Sequence, residues 1–216
     1  LAGGDDPFLR HAFLSLLERS GSVGPGTGWQ PAPILIDAAD GSLAGAIPAY
    51  IKAHSQGEYV FDHSWADAWM RSGGDYYPKL QIAVPFTPVP GRRLLAHDPA
   101  SFPALIAAAE AMVVQNELSS AHATFVAPDQ VAAFEDAGWL LRRASQFHWF
   151  DRGYGDFDGF LAALSSRKRK DIRKERAAAQ AAVTIEALRG DAIRPHHWDV
   201  MWACYQDTGA RKWGTP

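Results

Sequence analysis

Glu58, Asp62 and His63 bring two carboxylates and an imidazole into six consecutive positions. A histidine, or a carboxylate whose pKa is raised by its surroundings, can accept a proton near neutral pH, and an attacking amine must shed one before it can act as a nucleophile. The trio is therefore a candidate general base. Asp62, His63 and Ser64 also have the residue types of a serine triad, but sequence neighbours cannot supply its geometry, because triad members converge from separate elements. The competing structural reading is that Asp62 caps a helix starting near Trp65 while His63 packs locally. Lys79 and Gln81 alternate with Leu80 and Ile82, so on a strand both project to one face, opposite the apolar pair. They can contact a ligand in a cleft or face solvent. Gln146 and His148 have the same relation further on, with the same two readings.

A second chemistry is concentrated in Arg167 to Arg176, which holds seven of the 21 Lys and Arg residues. With Asp171 and Glu175 the segment carries a local charge of +5, and since the whole chain is −3 the remainder is −8. If Ser166 to Ala182 is one helix, Arg169, Lys170, Arg173, Lys174 and Arg176 share a broad arc, with Lys168 and Ile172 nearer the opposite side. Arg167, Lys168, Arg169, Lys170 and Arg173 could form a phosphate clamp for a phosphorylated substrate or a tRNA, since arginine offers forked donors to phosphate oxygens. The alternative is a solvated helix with Asp171 and Glu175 as internal partners. Overall acidity and the lack of interleaved aromatics count against a general RNA-binding surface. His196 and His197 diverge at a helix start with no partner at zinc spacing, so no metal site is expected. Cys204, between Trp202 and Tyr205, reads as a buried small residue, and most of the eight tryptophans as core. Trp29 and Trp213, near loops, are candidates for ligand stacking.

These groups need a scaffold. The chain has 216 residues, of which 47% are apolar and 21% charged, enough for a sizeable core in one or two domains. Apolar runs such as Ala104 to Ala109 are far shorter than the roughly 20 residues that span a bilayer, so no membrane span is expected. The start, Leu1 to Asp6, has neither an initiator Met nor the features of a secretory signal, which suggests a fragment or trimmed chain. One cysteine cannot form an internal disulfide, which fits a reducing, cytoplasmic setting. Periodicity predicts a helix over Pro7 to Ser20, a hairpin from Ile34 to Ile36 and Leu43 to Ile51, and a helix over Phe61 to Arg71. A strand at Lys79 to Val84, an extended piece at Arg92 to Leu95 and a helix at Phe102 to Glu117 follow. Then come a strand at Ala121 to Val126, a helix at Pro128 to Asp136 and a strand at Trp139 to Phe150. After a boundary at residue 150, Asp156 and Ser165 or Ser166 cap two further helices, Val183 to Leu188 reads as a strand, and one more helix ends the chain. The expected class is α/β of the α+β type, a mixed sheet flanked by helices over residues 1–150, with 151–216 opening a second domain.

Particular stretches carry a family resemblance. Pro90-Gly91-Arg92-Arg93-Leu94-Leu95, the Ala-rich helix and Ala132-Ala133-Phe134-Glu135-Asp136-Ala137-Gly138-Trp139 look like the strand, loop, helix and closing motif of GNAT-type N-acyltransferases. Glu58 to Ala68, Tyr76 to Gln81 with Val84 to Val89, and Leu164 to Lys170 with Ile172-Arg173 resemble the bacterial predicted N-acyltransferases labelled peptidoglycan biosynthesis or recognition proteins, relatives of the Fem aminoacyltransferases. The resemblance covers almost the whole chain. It implies two GNAT-like domains in tandem, the first complete here and the second begun. It further implies transfer of an acyl or aminoacyl group onto an amine, with a peptidoglycan precursor as acceptor and acyl-CoA or aminoacyl-tRNA as donor. The alternative is a degenerate, non-catalytic module that binds a cell-wall precursor or a protein. Acetyl-CoA fits poorly as donor. GNAT enzymes hold its pyrophosphate on N–H groups of a Gly-rich turn, and Thr87-Pro88-Val89-Pro90-Gly91-Arg92-Arg93 has two prolines without N–H and one glycine.

Overall fold

The stretch from Trp29 to Lys52 forms a single long hairpin that changes sheets halfway. In the computed structural model, which describes residues 6–60 and 62–214 apart from the side chain of Trp213, the outgoing arm is β1 (Trp29–Pro31) and β2 (Ile34–Asp37). The returning arm is β3 (Leu43–Ile47) and β4 (Ala49–Lys52). At the tip, Asp40 Oδ1 accepts from the Ser42 N–H at 2.9 Å and Gly41 takes a left-handed φ of 79°, which glycine adopts without a Cβ penalty. Proline cannot donate to a ladder, and Pro33 and Pro48 stand where the two arms pass from one sheet to the other. The Ala32 N–H still reaches the Ala49 carbonyl at 2.9 Å, so the hairpin bends without coming apart.

β1 and β4 then join β5 (Lys79–Ile82) and β7 (Ala121–Ala123) in the order β1-β4-β5-β7, antiparallel except for the parallel β5–β7 pair. β2 and β3 join β6 (Leu95–Ala96) in an antiparallel three-stranded sheet. α1 (His11–Arg19) precedes the hairpin and α2 (His63–Arg71) follows it. The parallel pair is bridged by α3 (Phe102–Gln115), as a parallel connection requires, and α4 (Val131–Asp136) follows β7. Leu105, Ile106 and Ala109 of α3 pack with Ile34, Ile47, Leu80, Ile82 and Phe134 in the main core. Burying each large aliphatic side chain contributes about 1.5–3 kcal/mol. Gly45 lets α3 approach, since a Cβ there would stand 3.1 Å from Leu105 Cδ1. The protein is thus of mixed α/β class, α+β in type.

The chain divides into two units, Leu1–Ala144 and Ser145–Pro216. The second contains α5 (Phe157–Ala162), α6 (Ser166–Gln180) and α7 (Pro195–Trp213). Asp156 caps α5 through the Gly159 N–H at 2.7 Å, and Ser165 caps α6.

Several sequence expectations are corrected. The hairpin's return arm breaks at Pro48, and the first helix begins only at His11, after a 3-10 turn at Pro7–Leu9. Neither Trp139 to Phe150 nor Val183 to Leu188 forms a strand: both lie outside every ladder, and a strand exists only where a neighbour takes up its N–H and C=O groups. Cys204 is exposed. Trp29 is buried, whereas Trp65, Trp69, Trp149, Trp198 and Trp202 are exposed, so the tryptophans are not mostly core. The stacking role suggested for the Trp213 side chain lies outside the described residues. Among those residues, no helix is long and apolar enough to cross a membrane.

Candidate functional site

β5 alternates as its sequence demands, with Leu80 and Ile82 in the core and Lys79 and Gln81 on the other face. That second face is buried as completely as the first, with both polar residues 0% exposed, which corrects the expectation of solvent exposure. The sheet register extends it: Lys52 of β4 lies opposite Lys79, Tyr50 opposite Gln81, Trp29 of β1 opposite Lys52, and His122 of β7 opposite Gln81. One sheet face therefore presents two lysines, a glutamine and a histidine in place of aliphatics.

The segment between β4 and α2 covers this face with complementary groups. Lys79 Nζ donates to Asp62 Oδ2 at 2.8 Å, Glu58 Oε2 at 2.9 Å and Ser55 Oγ at 3.0 Å, so all three of its N–H bonds are used. The Tyr76 hydroxyl also donates to Asp62 Oδ2, at 2.8 Å, and Ser55 Oγ shares a 2.7 Å hydrogen bond with the Tyr77 hydroxyl. Lys52 Nζ donates to the Gln56 carbonyl at 3.1 Å, sits 3.5 Å from the centre of the Trp29 ring, and lies 3.9 Å from Glu58 Oε1. Gln81 Nε2 donates to Thr124 Oγ1 at 3.0 Å. Among the described residues, three buried oxygens remain without a hydrogen-bond partner: Glu58 Oε1, Asp62 Oδ1 and Gln81 Oε1. Two residues of the surrounding loops, Tyr59 (φ 56°) and Phe86 (φ 58°), hold left-handed backbone that side chains other than glycine rarely adopt, a strain often found at functional sites.

The electrostatics follow from this packing. Burial pushes the Glu58 carboxyl up, against the pull of Lys79 and Lys52. Burial would also raise Asp62, but its hydrogen bonds from Lys79 and Tyr76, with the Ser55 hydroxyl nearby, outweigh that and bring it down to about 2. Burial brings the Lys52 ammonium down to about 7, with Glu58 opposing the shift and Lys79 adding to it. Burial and the Lys79 charge lower His122 to about 4, so its ring is neutral at physiological pH.

Glu58, Asp62, Lys79 and Gln81 thus occupy one buried site, and His63 does not join it. His63 is exposed on the first turn of α2. Asp62 precedes α2 but makes no side-chain cap, since its carboxylate is turned to Lys79. Gln146 and His148 are exposed, 3.3 Å apart, on the segment that forms no strand. On α6, Arg167, Lys168, Lys170 and Arg173 are exposed, and Arg173 pairs with Asp158 at 3.4 Å. Lys168 does not point inward: Arg169 and Ile172, one turn apart, are the half-buried positions. Sequence reasoning missed Lys52, Ser55, Tyr76, Tyr77, Thr124 and His122. Lys52 had a signal, because Tyr50 and Lys52 alternate with Ala49 and Ile51. Among the described residues no three His, Cys, Asp or Glu side chains are grouped to hold a metal ion.

The loop compared with a phosphate-binding turn has two residues without an N–H and two whose N–H groups bond internally. Pro88 and Pro90 carry no N–H, the Gly91 N–H goes to the Phe125 carbonyl at 2.9 Å, and Gln130 Oε1 accepts from Arg93 N at 2.7 Å and Leu94 N at 3.1 Å. The buried Arg93 guanidinium binds the Val89, Arg92 and Thr124 carbonyls. A pyrophosphate would have to displace these bonds. Acetyl-CoA is accordingly expected to show no low-micromolar affinity in titration calorimetry, and a dissociation constant in that range would overturn the expectation.

Compared with known proteins, the chain matches one family model along its whole length, residues 1–216. No curated protein and no solved structure matches it. The chain belongs to the FemAB-like family, described as peptidoglycan biosynthesis/recognition.

Proposed function

We propose that this protein is an N-acyltransferase acting in peptidoglycan biosynthesis, moving an acyl or aminoacyl group onto the amine of a cell-wall precursor. Family membership supports involvement in peptidoglycan biosynthesis or recognition. The observation that carries the finer reading is Glu58, a buried carboxylate held through Oε2 by Lys79, raised in pKa by burial and left with Oε1 unbonded. Such a group can take the proton that an ammonium must lose. The freed amine then attacks the acyl carbonyl, the C–N bond forms, the ester or thioester bond to the donor breaks, and the leaving group takes a second proton from nitrogen. The mixed sheet with its helix-bridged parallel pair supports a GNAT-like first domain, and we read residues 151–216 as the opening of a second. The basic helix α6 supplies phosphate contacts to the precursor or to tRNA. Since Pro88 and Pro90 have no N–H and those of Gly91 and Arg93 are already bonded, aminoacyl-tRNA or another activated acyl compound suits the donor role better than acetyl-CoA.

The test is transfer of labelled acyl groups from aminoacyl-tRNA or acyl-CoA onto a nucleotide-linked muropeptide, with Glu58→Gln as the diagnostic variant. Glutamine keeps the shape and removes the base, and the expected loss in kcat is about a hundredfold. A second reading, a non-catalytic module binding the same precursor, draws on one observation: Glu58, Asp62 and Lys79 are almost wholly buried and bonded to one another. Precursor binding without turnover from any donor would decide for that reading.

A further inference from the structure

The two lysines of the site differ in coordination. Lys79 has three acceptors for three N–H bonds, two of them carboxylates. Losing its proton would leave Glu58 and Asp62 buried without a hydrogen-bonded cation, an arrangement that is strongly destabilising. Lys52, equally buried, has a single hydrogen bond among the described residues, to the neutral Gln56 carbonyl. The Trp29 ring attracts its charge but accepts no conventional hydrogen bond, and Lys79 sits directly opposite as a like charge. A neutral amine keeps the bond to Gln56 and gives up the Trp29 contact and the 3.9 Å ion pair with Glu58, but no hydrogen bond to a carboxylate. Glu58 lies between the two, with Oε2 on Lys79 and Oε1, which accepts no hydrogen bond among the described residues, 3.9 Å from Lys52 Nζ, so the carboxylate is placed to pass a proton to Lys52 and supplies its counter-charge.

We propose that Lys52 is the proton-exchanging base of this site, taking the proton of the acceptor ammonium by way of Glu58, while Lys79 stays charged and positions the carboxylates. The catalytic half of this proposal rests on the amine-acylation reading above. In the balance, the ammonium's first proton passes through Glu58 Oε1 to the neutral Lys52 amine and is later released to solvent. The second proton leaves with the donor's oxygen or sulfur, and the third stays on the new amide nitrogen. The depressed Lys52 pKa of about 7 agrees with the coordination. The charged and titratable groups facing Lys52 are Glu58 from the covering segment and Lys79 from β5.

Two measurements separate the proposal from the reading it rests on. The first needs no activity: NMR titration of protein labelled with carbon-13 at lysine Cε. One resonance is expected to titrate with a midpoint of about 7, to be absent in Lys52→Arg and Lys52→Met, and to leave the Lys79 signal in place. The remaining lysines, Lys168, Lys170, Lys174 and Lys212, are exposed. The same assignment predicts the pH dependence of stability. Above about 7 the folded Lys52 is neutral, while in the unfolded chain it stays protonated to about 10.5. The unfolded state then binds more protons, so the unfolding constant should fall with rising pH over that window, by up to about tenfold per unit, and Lys52→Met should lose the trend. Lys52 signals that stay in the charged position above about pH 9 would overturn the proposal, as would titration of Lys79 instead. Should either variant fail to fold, the other assigns the resonance, and the wild-type midpoint stands by itself. The second measurement is the pH profile of transfer. Wild-type kcat/KM should rise about tenfold per unit below pH 7 and then level off, and Lys52→Arg, which cannot release its proton, should lose the rise along with about a hundredfold or more in rate. A neutral Lys52 in the NMR titration with no transfer from any donor would sink the acylation reading and leave the proton assignment standing.

Discussion

Replacing Lys79 with methionine is expected to destabilise the protein by about 3–5 kcal/mol, a large part of a typical domain's total stability. The size follows from what the change leaves behind. Glu58 and Asp62 are 4% and 3% exposed, and each already has one buried oxygen without a partner. Without Lys79 their remaining oxygens lose their principal donor, and two carboxylates face each other out of reach of water. Neutralising them in the same background, with Glu58→Gln and Asp62→Asn, should recover part of the loss, since neutral amides cost less to bury than unpaired charges. Urea unfolding measures both, and a shifted midpoint at unchanged slope would mark a true stability effect. A loss below about 1 kcal/mol for Lys79→Met alone would mean that the covering segment opens to admit water, and the buried-cluster account would fail.

The second large effect is expected on α6. Changing Arg167, Lys168 and Arg169 together to glutamine should weaken binding of a nucleotide-linked precursor or an aminoacyl-tRNA by about a thousandfold or more, taking about 1.5–3 kcal/mol for each charge-assisted bond lost where water is excluded. Thermal unfolding should barely move. The helix keeps its Ser165 cap, Arg167 and Lys168 are exposed, and solvated charges contribute little to stability. Wild-type affinity should also fall as salt rises. Unchanged affinity with unchanged melting would make this stretch a solvated face. A lowered melting temperature would make it structural, with the half-buried Arg169 the first suspect.

How far the sequence could be read depended on whether a feature was local. Period two along Lys79-Leu80-Gln81-Ile82 was enough to assign the faces of β5. It could not tell that the polar face would be covered, because the cover comes from a separate segment whose carboxylates seek the same lysine. Lys52 escaped for a similar reason: alternation puts it on a face with Tyr50, but only the β4–β5 register sets it against Lys79. Asp62 sits where a cap belongs, and the pull of a buried ammonium overrides the local preference. Trp139 to Phe150 and Val183 to Leu188 have strand-like composition, yet pairing is a property of two segments, and no ladder includes them. The Asp156 and Ser165 caps, which need only their own helices, were legible at once.

The three-way coordination of Lys79 also constrains how this sequence can drift. Ser55, Glu58 and Asp62 each satisfy one N–H of the same ammonium, so a change at any one position is felt by the others. An apolar version of the cluster could be as stable, but every single-step route to it passes through a form with a buried, uncompensated charge. These four positions are therefore expected to behave as one heritable unit, kept together or exchanged together, whether or not the proton chemistry is under selection.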